Sequence, residues 1–246
     1  MAVSVLLGGS TGRLGNEIRA VLEERNAPFF ALQREHYSNP SALEPLFHEP
    51  RIIVDVSLAH GTQTLLTTLR SLSEPARHNV KCVVIGTTGH SPDQCEQINN
   101  CASFFPVSLV SNFSRGVFLL EEMLQARTST GLSVAELARS LGFDLALWEA
   151  HHTRKLDAPS GTAKTLAEAA KIPENRISAT RVGNVVGEHV VFLAAESEEL
   201  RIQHLAHTRK LFALGACDMI ERISHLTLSP GLYDRRAFFS LPEKVK

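Results

Sequence analysis

An apolar run, Val3–Leu7, stops at Gly8-Gly9-Ser10-Thr11-Gly12-Arg13-Leu14-Gly15, after which Leu14, Ile18, Val21 and Leu22 recur at helical spacing. A short buried strand, a glycine-rich turn and a helix of about three turns, in that order, leave few folds open. Gly9, Gly12 and Gly15 form GxxGxxG, one residue wider than the GxGxxG of many dinucleotide-binding turns. The physics is the same: small residues let the backbone approach a pyrophosphate, and the helix N-terminus behind them offers free N–H groups.

The alternation continues downstream. Phe29–Leu32, Arg51–Val56, Val80–Ile85 and Phe104–Leu109 are apolar runs of strand length. Thr62–Leu72 reads as a helix between the third and fourth strands. Ser91-Pro92-Asp93 supplies the N-cap, first-turn proline and acidic first turn of another. The pattern predicts an α/β domain: a Rossmann-like, doubly wound parallel sheet with right-handed crossovers. Further on the character changes. Gly116–Ala126 predicts one amphipathic helix, with Val117, Leu120, Met123 and Leu124 on a face. Phe143–Ala150, Val185–Ala194, Glu199–Ala206 and Leu211–Leu214 read as strands, which suggests a second, α+β domain built on a mixed or antiparallel sheet.

Charge excludes one class of partner. Lys and Arg total 25 against 26 Asp and Glu, so the chain lacks the basic footprint of a general nucleic-acid binder. The longest apolar stretches, around Val80–Gly86 and Val190–Ala195, are far shorter than the roughly 20 residues that span a bilayer. Met1–Leu7 has no basic leader and reads as a strand rather than a signal peptide. The four cysteines form no CxxC, which fits reduced thiols in a cytoplasmic protein.

Cofactor choice turns on Leu32-Gln33-Arg34-Glu35, after the second strand. Arg34 can pair with a 2′-phosphate, with Arg13 placed to assist, which favours NADPH; Glu35 keeps NADH open. At the end of the fourth strand, Gly86-Thr87-Thr88-Gly89 can present backbone and hydroxyl groups to a nicotinamide ring.

The most informative stretch is Glu149-Ala150-His151-His152-Thr153-Arg154-Lys155-Leu156-Asp157-Ala158-Pro159-Ser160-Gly161-Thr162-Ala163. It leaves a predicted strand and enters a helix whose apolar stripe is Ala163, Leu166, Ala167 and Ala170. Pro159-Ser160-Gly161-Thr162 therefore caps that helix, whose free N–H groups favour an anion. His151 and His152 supply groups that titrate near neutrality, and Lys155 a fixed positive charge. On spacing alone the stretch is open to a carboxylate site, a phosphate site or a basic surface loop. A metal is disfavoured: no Cys or carboxylate lies at ligand spacing, Lys155 repels a cation, and the HxxH of His204 and His207 would point to opposite faces of a strand.

The same stretch resembles the signature E-x-H-H-x-x-K-x-D-x-P-S-G-T-A of the dihydrodipicolinate reductase family, matched at every fixed position. Gly9-Ser10-Thr11-Gly12-Arg13-Leu14-Gly15 resembles that family's cofactor loop, with Leu14 where Met is common. Gly86-Thr87-Thr88-Gly89, Ser111-Asn112-Phe113-Ser114, Arg181-Val182-Gly183, Val186-Gly187-Glu188-His189, His204 through Arg209 and Gly231-Leu232-Tyr233-Asp234 are further matches. The resemblance implies a dinucleotide-binding domain over residues 1–113, completed by 210–246, and a substrate-binding and tetramer-forming domain over 114–209. It implies reduction of 4-hydroxy-tetrahydrodipicolinate by NADPH or NADH with loss of water, in lysine biosynthesis. His151 is then the general acid and Lys155 a carboxylate contact and proton donor. His152, Ser160, Gly161 and Thr162 hold the dicarboxylate. Gly9, Ser10, Thr11, Gly12, Arg13, Leu14, Gly86, Thr87, Thr88, Ser111, Asn112 and Phe113 hold the cofactor, joined by Arg34 from its place after the second strand.

Two departures stand out. The family commonly has Asp-Phe-Thr/Ser after the third strand, often followed by Arg, whereas this chain has Asp55-Val56-Ser57-Leu58. It is also short between Arg34 and Arg51. The competing class is a non-catalytic NAD(P)-sensing regulator on a short-chain-dehydrogenase-like fold, which also uses GxxGxxG. Enzymes on that fold need YxxxK; Tyr37 and Tyr233 are followed four residues later by Ser41 and Ala237, which excludes them. A sensor has no need of His151, Lys155 and the helix cap together.

Overall fold

The computed structural model describes residues 4–239; Val3, where the predicted first strand begins, and residues 240–246 lie outside them. Strand β1 (Ser4–Gly8) runs through the glycine turn into α1 (Arg13–Glu24), which buries Gly15, Ile18, Val21 and Leu22. Then come β2 (Phe29–Ala31), the short helices α2 (Arg34–Ser38) and α3 (Pro40–Leu43), β3 (Arg51–Asp55) and α4 (Ala59–Ser71). They are followed by α5 (Glu74–His78), β4 (Val80–Ile85), α6 (Pro92–Cys101) and β5 (Pro106–Leu109). Helix α6 starts as expected: Ser91 Oγ accepts the Gln94 N–H, and Gln94 Oε1 accepts the Ser91 N–H, a reciprocal cap with Pro92 in the first turn.

The chain next builds α7 (Arg115–Gln125), α8 (Val134–Ser140), β6 (Asp144–His151), α9 (Gly161–Ala169), β7 (Ile177–Arg181), β8 (Glu188–Ala194) and β9 (Glu199–Leu205). It closes with α10 (Lys210–Ser224) and β10 (Gly231–Leu232). Two compact units result, one of residues up to Phe113 together with those from Phe212 on, the other Ser114–Leu211.

The first unit carries a parallel six-stranded sheet in the order β10-β5-β4-β3-β1-β2. Alternate residues feed two cores, as a sheet covered on both faces requires. Val5, Leu7, Ile52, Val54 and Val84 pack with Ile18 and Leu22 of α1 and with Ala213, Ala216 and Ile220 of α10. Leu6, Ile53, Val83 and Ile85 pack with Leu65 and Leu69 of α4 and Ile98 of α6. The second unit carries a mixed sheet in the order β7-β6-β8-β9. Its β6 and β7 are parallel, joined across α9, and the other pairings are antiparallel.

Two expectations are corrected. Leu211–Leu214 is not a strand but lies within α10, because a short apolar run carries no period of its own. Its continuation, with Ala213, Ala216, Cys217, Ile220 and Ile223 buried, makes it the stripe of a helix. On α7 the buried residues are Val117, Leu120, Glu121 and Leu124, while Met123 is 43% exposed. No helix among the described residues is long and apolar enough to cross a membrane.

Candidate active site

The glycine turn is built for backbone approach. Gly9 sits at φ +74°, a conformation that favours glycine, and a Cβ there would lie 2.6 Å from the Val56 carbonyl. A Cβ on Gly15 would collide with the Gly9 carbonyl, so these two glycines let the turn fold against α1 and β3. No side chain caps the N-terminus of α1 at Gly12, which leaves its first N–H groups to a ligand. Gly9, Ser10, Thr11, Gly12 and Arg34 line a cleft of about 1100 Å³, together with Leu32, Gln33, Val56, Ser57, Leu58 and His60 among others. A backbone cradle, an uncapped helix and an arginine after the second strand fit a nicotinamide dinucleotide. Beneath the cleft, buried Asp55 accepts hydrogen bonds from Tyr37 Oη (2.9 Å) and Thr62 Oγ1 (2.5 Å), tying β3 to α2 and α4.

The remaining predicted cofactor residues lie outside the lining of that cleft. Arg13 and Leu14 open α1, and Leu14 packs against the core. Gly86, Thr87 and Thr88 follow β4; Thr87 is buried and donates to the Asp55 carbonyl at 3.3 Å. Phe113 packs over Gly86, where a Cβ would collide with its ring and lie 3.0 Å from Val56 Cγ1. Ser111 is exposed, and the Asn112 carbonyl accepts from Arg235 Nη1 at 2.9 Å.

In the second unit, strand register assembles the histidine site. Glu149 and His151 project from the same face of β6, being two residues apart. Glu149 pairs across the sheet with His189 of β8, His189 with His204 of β9, and His151 with Arg181 of β7. One row of side chains thus crosses all four strands. Arg181 staples the loop to this row. Its Nη2 donates to Glu149 Oε1 at 2.9 Å and to the Asp157 carbonyl, and its Nε to the Lys155 carbonyl at 3.3 Å. Ser160 caps α9 by accepting the Ala163 N–H at 3.1 Å, and gives both its N–H and its hydroxyl to Glu149. Gly161 and Thr162 then form the first turn of α9. Lys155 Nζ pairs with Asp157 at 2.8 Å, and Arg209 Nη2 lies 3.1 Å from His152 Nε2. His204 Nε2 is 3.1 Å from Ser114 Oγ; His207 lies past the end of β9, so the two histidines do not share a strand as HxxH spacing predicts.

Electrostatics follow from burial. Burial pushes His151 down to about 4; Glu149 works against the shift, and Lys155 and Arg181 add to it. Burial, with His151 alongside, pushes His189 to about 3. Burial acts to raise the Glu149 carboxyl, but hydrogen bonds from Ser160 and Arg181 outweigh it and hold the group below the usual carboxylate range. Both imidazoles are therefore neutral near pH 7 and Glu149 is ionised.

Glu149, His189 and Arg181 are the residues that spacing along the chain missed as parts of the site. Glu149, His151 and His189 bring three donor atoms within 4.8 Å of one another, a carboxylate the spacing argument did not count. The donor set does not suit a resident dication, because Arg181 already neutralises the carboxylate and Lys155 adds a second positive charge at His151.

A dinucleotide cradle on a doubly wound sheet in one unit, and a basic, histidine-bearing loop in the other, define a pyridine-nucleotide oxidoreductase. Comparison with known proteins narrows this. The N-terminal domain family of dihydrodipicolinate reductase matches residues 3–113 and the C-terminal family residues 128–238. The chain belongs to the dihydrodipicolinate reductase family. Relatives named 4-hydroxy-tetrahydrodipicolinate reductase include those of Xanthomonas campestris pv. campestris, 31% identical with 94% of this chain and 95% of the relative covered, and of Campylobacter lari, 30% identical with 94% and 97% covered. A dipicolinate-bound dihydrodipicolinate reductase from Paenisporosarcina sp. TG-14 shares the fold, with TM-score 0.65, 21% identity, and 95% and 98% of the two chains covered.

Proposed function

We propose that this protein reduces 4-hydroxy-tetrahydrodipicolinate to tetrahydrodipicolinate with loss of water, in lysine (diaminopimelate) biosynthesis. The observation that carries the reading is the convergence of His151, Lys155 and the capped N-terminus of α9 on one loop. A dianion needs a cation, the field of a helix N-terminus and a proton source together, and this loop supplies all three. The family resemblance adds the identity of the dianion. Bound in the glycine cradle, reduced nicotinamide supplies the hydride.

The rest falls to the chain's own residues. Lys155 exchanges Asp157 for a substrate carboxylate, helped by the Gly161 and Thr162 N–H groups, and His152 contacts the dicarboxylate. The net reaction consumes one hydride and one proton and releases one water. His151 Nε2 provides the proton; Gly187 keeps it clear, since a Cβ there would lie 3.2 Å away. No metal, nucleic acid or membrane enters this reading. A homotetramer, formed through the half-exposed face of the second sheet with Trp148 and Phe192, and a cytoplasmic location complete it.

The direct test is oxidation of NADPH or NADH by the purified protein with freshly made substrate; no turnover with either would revive the regulator. Lys155→Ala is expected to weaken inhibition by pyridine-2,6-dicarboxylate about 10–100-fold, the scale of a lost charge-assisted contact. For the nucleotide, Arg34 favours NADPH. Arg34→Ala is expected to raise KM for NADPH about 10-fold or more and to change KM for NADH less than about 3-fold. Equal effects on the two would remove Arg34 from the 2′-phosphate site.

A further inference from the structure

One nitrogen of His151 faces a buried carboxylate and the other lies over Gly187. Nδ1 is buried without a hydrogen bond and lies 3.5 Å from Glu149 Oε2. Glu149 is fully buried. Its Oε1 takes the Ser160 N–H and Arg181 Nη2, and its Oε2 takes the Ser160 hydroxyl. The capacity left on Oε2 faces His151 and His189, whose Nε2 is 3.6 Å away. The His189 ring stands edge-on to His151, centroids 5.2 Å apart at 75°, and limits rotation of that imidazole. A carboxylate at one imidazole nitrogen decides which nitrogen carries the proton and stabilises the imidazolium when it forms.

We propose that Glu149 is a positioning residue of the reaction: it holds His151 with Nδ1–H turned toward it and Nε2 toward the substrate. Through Ser160 the same carboxylate ties that imidazole to the helix that takes the substrate's charge. The proposal rests on the reading of His151 as proton donor. Around His151 stand Glu149 on its own strand, Lys155 and Asp157 on the following loop, Arg181 of β7 and His189 of β8, with His204 of β9 behind His189. Glu149 and Asp157 favour the imidazolium; Lys155, Arg181 and burial oppose it. A bound dicarboxylate engages Lys155 and adds negative charge, so His151 gains its proton as the dianion arrives.

The experiment is calorimetry of pyridine-2,6-dicarboxylate binding to the full-length protein near pH 7, in buffers of different ionisation heat. The wild type is expected to take up most of one proton on binding, and E149Q little. E149D, which keeps the charge, retains the uptake. In turnover, the limb of the kcat–pH profile that falls as His151 deprotonates moves to lower pH by about one unit or more in E149Q, because a charge favouring the imidazolium is gone. Its kcat near pH 7 falls about 10–100-fold with KM changed less than about 3-fold. Nitrogen-15 shifts of the His151 ring in the wild type, expected to report the Nδ1–H tautomer, need no variant to fold. An Nε2–H tautomer there, or wild-type proton uptake and pH profile in E149Q, would overturn the proposal. Absent wild-type turnover would sink the reading of the reaction instead, and the ring shifts keep the two failures apart.

Discussion

His151→Ala is expected to lower kcat by about 10²–10⁴-fold, the usual contribution of a positioned general acid. The loss falls on kcat because the groups assigned to hold the dicarboxylate, Lys155 and the α9 N-terminus, are left in place. Dissociation constants for pyridine-2,6-dicarboxylate should therefore stay within about 10-fold of the wild type. The fold should survive, since the change removes a buried nitrogen that makes no hydrogen bond. His152→Ala is the informative contrast: its partner is Arg209, and its effect should appear in KM. Measured kcat and KM for both variants decide the assignment. An alanine at 151 that turns over within about 3-fold of wild type would move the proton to Lys155 or to solvent.

The second large effect concerns stability. Arg181→Met is expected to destabilise the second unit by about 3–5 kcal/mol, read from denaturant unfolding. The arginine side chain is 17% exposed and its carboxylate partner 0%, so the change leaves a buried negative charge unpaired rather than trimming a surface ion pair. It also releases the Lys155 and Asp157 carbonyls, so the loop loses its staple. The pH dependence has a definite sign. Burial acts to raise the Glu149 carboxyl, and Ser160 and Arg181 together hold it below its ordinary value, so the pair stabilises the fold above the usual carboxylate range and less as pH falls through the folded value. Without Arg181, one of the groups that hold the carboxyl down is gone and it rises. The difference between variant and wild type should thus narrow on acidification. A difference that stays constant between pH 7 and pH 4, or a total below about 1 kcal/mol, would show that water or Ser160 alone satisfies Glu149.

Much of this architecture was legible because it is local. The turn from Gly9 to Gly15, the cap at Ser91-Pro92 and the cap at Ser160 each declare themselves within a few residues. The stretch Leu211–Leu214 is the complementary case: four apolar residues have no measurable period, and the helix shows only when Ala216, Cys217 and Ile220 are counted with them. The hub of the candidate site was illegible in another sense. Glu149 was visible as a letter of the signature, but its meeting with His189 depends on antiparallel register and its meeting with Arg181 on a parallel crossover through α9. A slip of one residue in either pairing would send these side chains to the opposite face. Spacing along the chain cannot report such a meeting of a carboxylate with histidines.

The six-stranded sheet has a history written into its order. Its inner strands are made early, but α10, which brings Ala213, Ala216, Cys217, Met219, Ile220 and Ile223 to one of its cores, and the edge strand β10 emerge only after the whole of Ser114–Leu211. During synthesis, Val5, Leu7, Ile52, Val54 and Val84 wait with one apolar face short of its cover and β5 as an open edge. The middle unit, continuous in the chain, has no such wait. A nascent chain that has released Ser114–Leu211 but not the rest of α10 therefore holds one complete unit and one half-covered sheet, and it is this interval that a chaperone or a protease would read.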